Sequence, residues 1–136
     1  MPLIARVLLT DERRRILIVH ATGRRPRWGL PGGIIGPCEP PRTAAEREIR
    51  EELGLDITAG ALLAQEWVPP HTPGRRARMT LYFTGPQLSE TETARISLQP
   101  EEADDHAWAW ATQPARHGLQ PRRLEVRPRS FLGGRP

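Results

Sequence analysis

The strongest constraint on this chain is one helix signal closed at both ends. From Pro41 to Leu53 the sequence PRTAAEREIREEL holds no glycine and no interior proline. Pro41 suits the first helical turn, where its missing N–H leaves no hydrogen bond unmade. Gly54 stands where a left-handed cap is wanted. At about 100° per residue, Ala45, Ile49 and Leu53 form an apolar stripe, and Glu48, Glu51 and Glu52 gather on its flank. Such a helix must bury its stripe, and the rest of the chain offers strands.

Arg6 to Leu9 reads as a short strand, and Thr10 to Arg13 as a turn. Arg15 to His20 holds a continuous apolar run rich in β-branched residues, the pattern of a strand covered on both faces. Ala21 to Trp28 reads as a loop, and Leu30 to Ile35 is too glycine-rich for a helix. Ala61 to Val68 and Met79 to Thr84 read as strands joined by a hairpin loop over residues 69–76. Gln87 to Thr93 reads as irregular, His106 to Ala111 as the last strand with Trp108 and Trp110 on one face, and Thr112 to Gly118 as a short helix. Strands around one dominant helix predict an α/β sandwich with a mixed sheet.

At 136 residues the chain makes one domain. No stretch approaches the roughly 18–20 apolar residues of a membrane span. Leu3 to Leu9 is interrupted by Arg6, which argues against a secretory leader. Cys38 stands alone, excluding a disulfide framework and a cysteine zinc site, so a reducing cytoplasm is the expected compartment. All 20 basic residues are arginine, and the net charge is +4. Six arginines and one glutamate fall in residues 115–136, leaving the body near neutral. The excess therefore sits in the tail, which weakens a nucleic-acid-binding reading of the domain. Residues 1–120 are expected to form the domain and residues 121–136 an Arg/Pro-rich, partly disordered tail.

Three carboxylates within about one turn repel, each close pair costing a few tenths of a kcal/mol on a bare helix. The cluster makes sense as a site for a hard divalent cation such as Mg²⁺, which prefers carboxylate oxygens and bridges protein to phosphates. Gly32-Gly33 fits the same chemistry, because backbone without side chains approaches a ligand closely. A solvated helix face is the competing reading, since Glu46–Arg50 and Arg47–Glu51 are good i,i+4 pairs. The full spacing decides between them. Gly33, five residues, Glu39, seven residues, Arg47-Glu48-Ile49, one residue, Glu51-Glu52, one residue, Gly54-Leu55 coincide by chance on the order of once in a million.

That spacing resembles the signature of the Nudix hydrolase family, and Trp28 to Gly33 resembles its lead-in. The resemblance covers residues 3 to about 119. It implies the Nudix α/β/α sandwich and Mg²⁺- or Mn²⁺-dependent hydrolysis of a nucleoside diphosphate linked to another group. Carried over, Glu48 and Glu52 resemble the usual metal ligands, Glu51 a further one, and the Gly32 carbonyl a backbone ligand. Arg47 would orient the glutamates and Glu39 would hold the loop to the helix. The general base would be Glu48 or a downstream acid, here Glu102. Gly36, Cys38 and Pro40-Pro41 depart from the commonest loop pattern.

Arginines Arg24, Arg25 and Arg27, with Gly33, are the expected substrate contacts, because guanidinium suits phosphate. Arg75, Arg76, Arg78 and His71 sit where a loop would reach over the cleft. Trp67, Tyr82, Trp108 and Trp110 are expected in the core, with base stacking as the alternative. His20 reads as structural, and Cys38 as a space-filler. The expected substrate is a nucleoside triphosphate or compact nucleoside diphosphate derivative, acted on by a monomer or homodimer away from membranes. A non-catalytic nucleotide sensor and a pyrophosphohydrolase of 5′-phosphorylated RNA are the alternatives.

Overall fold

A computed structural model describes residues 1–23 and 26–111, and the backbone of residues 124–128. The strands are β1 (Leu3–Asp11), β2 (Ile16–Ala21), β3 (Arg27–Gly29), β4 (Gly32–Ile34), β5 (Leu62–Val68), β6 (Arg78–Leu88), β7 (Ala103–Ala111) and β8 (Leu124–Pro128). The helices are α1 (Pro41–Leu53) and α2 (Glu90–Ala94). The strands form one mixed sheet in the order β5-β6-β1-β2-β7-β8. Only β1 and β6 run parallel among the described pairings. The α/β class with a mixed sheet is therefore as expected.

Helix α1 occupies the residues its pattern predicts. It starts on proline without a side-chain cap, and Gly54 closes it in the left-handed region at φ 71°, donating its N–H to the Arg50 carbonyl. Ala45, Ile49 and Leu53 are fully buried against Ala5, Val7 and Leu9 of β1 and Leu17 and Val19 of β2. Burying Ile49 and Leu53 stabilises the fold by roughly 1.5–3 kcal/mol each. The opposite face of β2 contributes Ile18 to a second cluster with Ala107 and Ala109. The apolar run is thus covered on both faces, as its sequence demands.

Strands β1 and β2 meet at Thr10–Ile16 and then diverge. Strand β4 pairs with β1 across Ile4–Arg6, and β3 pairs with β2 across Val19–Ala21. Residues 27–34 therefore fill the fork, and the Val7 N–H donates to the Pro31 carbonyl within it. Gly32 takes φ +151°, and a Cβ there would lie 2.0 Å from the Ala5 carbonyl oxygen. Only glycine lets the chain press so closely on β1.

Several expectations are corrected. The loop read over Ala21 to Trp28 contains the start of β3. The turn read at Thr10 begins only after Asp11, whose buried carboxylate accepts the Arg13 and Arg15 N–H groups and pairs with the Arg15 guanidinium. Gln87 to Thr93 is not irregular throughout: β6 continues to Leu88, and α2 begins on a capping box in which Ser89 and Glu92 satisfy one another's backbone N–H groups. That Ser-x-x-Glu signal was legible in the sequence. Strand β7 is not the last, because β8 pairs with it antiparallel from Ala107–Pro128 to Ala111–Leu124. Trp108 is core, whereas Trp67 is 58% exposed. Cys38 is exposed and fills no interior space. The helix read over Thr112 to Gly118 lies outside the described residues.

Candidate metal and active site

The site forms where α1 crosses the fork. Glu48 packs its carboxylate over Gly33, so closely that a Cβ on Gly33 would come within 2.4 Å of it. One oxygen each from Glu48, Glu51 and Glu102 lie within 4.8 Å of one another. The first two share a helix face at i,i+3, and Glu102 arrives from the segment that leads into β7. That segment is moored to the end of β2, since the Thr22 N–H donates to the Glu102 carbonyl and the Thr22 hydroxyl to the Glu101 carbonyl.

Arg47 organises the cluster. Its Nε and one Nη donate to both oxygens of Glu39, at 2.7 and 3.0 Å. The other Nη donates to Glu48 at 3.1 Å and Glu51 at 3.0 Å, and the Ile34 carbonyl takes the remaining N–H at 3.1 Å. All five donors of the guanidinium are therefore used. Glu39 also accepts the Gly36 N–H, so it ties the loop to the helix. These bonds from Arg47 and Gly36 hold the Glu39 carboxyl below the usual carboxylate range, and Arg47 is held firmly protonated by Glu39 first and then by Glu51 and Glu48.

The other acids sit in the opposite electrostatic condition. Burial pushes the Glu48 carboxyl up, with Glu51 and Glu102 adding repulsion against the pull of Arg47. Burial also raises Glu102, helped by Glu51 and Glu101. Glu52 turns inward, only 5% exposed, and accepts the Gly32 N–H at 3.0 Å. Burial, and then its neighbours Glu48 and Glu102, push it up to about 7 against the opposing pull of Gly32 and Arg6. Crowded carboxylates that resist ionising suit a hard divalent cation, which would offset both the repulsion and the desolvation. The donor set, all oxygen, fits such an ion.

The structure thus brings Glu48, Glu51 and Glu102 together, with Arg47 bonded to two of them and Glu52 and Gly32 bonded to each other beside them. Gly33 lies beneath the Glu48 carboxylate. Arg27 lies elsewhere, lining a cavity with His71, Arg75, Arg76 and Arg78. Arg24 and Arg25 lie outside the described residues. His20 holds Asp104 at 2.6 Å and packs its ring 5.3 Å from Trp28, consistent with a structural role.

Sequence reading missed Arg6. Its guanidinium donates to the Leu30 carbonyl at 2.7 Å and senses Glu52, Arg27 and Arg78. The available signal was a lone charge inside the apolar run Leu3 to Leu9.

A family model described as a NUDIX domain matches residues 2–130. The chain is 32% identical over 120 residues to an ADP-ribose pyrophosphatase of Mycobacterium tuberculosis, covering 84% of this chain and 55% of that protein. It is 34% identical over 74 residues to an RNA pyrophosphohydrolase of Saccharophagus degradans, covering 53% and 44%. It spans about half the length of these two curated relatives. Among solved structures, the MutT NUDIX hydrolase of Burkholderia pseudomallei superposes with a TM-score of 0.67 at 24% identity, covering 85% of this chain and 90% of that one. At that identity the superposition shows the fold.

Proposed function

The chain belongs to the Nudix family, and from that premise we propose that it is a metal-dependent pyrophosphohydrolase cleaving the diphosphate of a nucleoside diphosphate linked to another moiety. The observation that carries this is the convergence of Glu48, Glu51 and Glu102 oxygens within 4.8 Å under an arginine clamp. Glu48, Glu51 and Glu52, with the Gly32 carbonyl, would hold Mg²⁺ or Mn²⁺. When bound, such an ion neutralises diphosphate charge and lowers the pKa of an attacking water.

The chain's own groups do the rest. Arg47 fixes Glu48 and Glu51 in position through the hydrogen bonds described. Glu102 takes the proton of the attacking water. Among the described residues its carboxylate accepts no hydrogen bond, unlike those of Glu39, Glu48 and Glu51, and burial makes it a stronger base than a free glutamate. We place this activity in the cytoplasm; among the described residues no helix is long and apolar enough to cross a membrane.

The test is a panel of ADP-ribose, nucleoside triphosphates and 5′-triphosphorylated RNA, each with Mg²⁺ and with Mn²⁺. Wild type is expected to release nucleoside monophosphate or pyrophosphate from at least one. Glu102→Gln is expected to lose about 10²–10⁴-fold in kcat while its unfolding free energy stays within about 0.5 kcal/mol. No turnover of any member, with tight nucleotide binding retained, would replace the enzyme with a sensor.

A further inference from the structure

A second charged feature lies apart from the carboxylates. Arg27 of β3 meets His71, Arg75 and Arg76 of the β5–β6 connection and Arg78 of β6 around a cavity of about 570 Å³. That volume is in the range of small-molecule sites, roughly 300–1,000 Å³. Four guanidinium groups line it. Among the described residues, no carboxylate forms a salt bridge with any of them, although Arg15, Arg47 and Arg50 all have such partners.

Arginines gathered around one cavity repel, and the arrangement is relieved by an anion. Guanidinium matches phosphate geometry through two parallel N–H bonds. Arg6 links this cavity to the acidic site. It lies opposite Gly32 on one side of β1 and opposite Tyr82 on the other. It senses the charge of Glu52 and also those of Arg27 and Arg78. The two groups of residues therefore carry opposite charge. At the acidic group, a diphosphate needs a cation as intermediary. At the basic group, the protein supplies the positive charge itself.

We propose that this basic cavity is a second phosphate subsite, accepting a phosphate group that the substrate carries in addition to the scissile diphosphate. The inference deepens the proposed hydrolase activity and rests on it for the reaction. Two sources share this chemistry: a phosphomonoester on a compact nucleotide, and the next phosphodiester of an RNA 5′ end.

The experiment compares kcat/KM, with Mg²⁺, for ADP-ribose and its 2′-phosphate, and for a nucleoside triphosphate and a 5′-triphosphorylated dinucleotide. The phosphate-bearing member of at least one pair is expected to be favoured by about tenfold or more. That ratio is expected to fall toward one in Arg75→Ala/Arg76→Ala, and to shrink as salt rises. Preference in the first pair identifies a monoester, and preference in the second an RNA end. Using a ratio within each protein removes any general loss of activity from the comparison. Ratios near one in wild type, or a preference unchanged in the double variant, overturn the subsite and leave the hydrolase reading intact. If wild type cleaves nothing, the hydrolase reading falls. Calorimetric binding of the same pairs in chelator then decides the subsite, on the same ratio and the same variant.

Discussion

Glu52 holds a buried carboxyl beside the acidic cluster at a cost to the fold. It is buried, bonded to the Gly32 N–H, and pushed up to about 7 chiefly by desolvation. A carboxyl raised in the folded state binds more protons folded than unfolded. Its stabilising contribution is therefore present below the ordinary glutamate range and is lost as pH rises through about 7. In chelator, Glu52→Gln is expected to melt higher than wild type at pH 8, with the difference narrowing by pH 5. Glutamine keeps an acceptor for Gly32 and removes the buried charge. Added Mg²⁺ is expected to raise the wild-type melting temperature and not the variant's. A pH-independent difference between the two melts would contradict the assigned burial cost.

At the scale of elements, the site depends on β4 lying close to both β1 and α1. The two glycines of β4 face different neighbours, so alanine at each is expected to fail differently. At Gly32 a Cβ would collide with β1 backbone, at 2.0 Å from the Ala5 oxygen, and φ is +151° besides. Backbone cannot give way cheaply, so Gly32→Ala is expected to cost about 3 kcal/mol or more in urea unfolding. At Gly33 the Cβ would meet the carboxylate end of the Glu48 side chain, not backbone. Gly33→Ala is expected to cost about 1 kcal/mol while weakening cation binding at least tenfold, read by calorimetry with Mn²⁺. Equal losses of stability in the two variants would refute this division. The helix needs no such help: its stripe and its Gly54 stop set its limits locally.

Across the whole molecule, the sheet runs from β5 at one edge to β8 at the other. Every residue of β5 but Val68 is exposed. At the far edge, β8 covers β7 along five register pairs. A chain ending at residue 120 would leave β7 as an edge strand. It is expected to melt at least roughly 5 °C lower, with faster amide exchange in β7. An unchanged melt would show the tail to be dispensable, in keeping with a domain that ends near residue 120.

The sequence by itself determined α1, from its stripe to its glycine stop, and the carboxylates that share its flank. Helix spacing is local geometry, so Arg47, Glu48, Glu51 and Glu52 are neighbours on the helix once residues 41–53 coil. It also determined that the run Arg15 to His20 is a strand covered on both faces. What only the tertiary structure decided is which distant residues join them. Glu102 enters the site because β7 pairs with β2 and Thr22 anchors the segment before it. Glu52 turns to Gly32 because β4 enters the fork between β1 and β2. Arg6 feels the charge of Arg27 because β3 and β4, paired to β2 and β1, fill the same fork, and Arg75 and Arg76 join Arg27 because the β5–β6 connection lines the same cavity. Strand partnership is a contest among non-local hydrogen-bond ladders and buried faces, settled only when the whole sheet assembles.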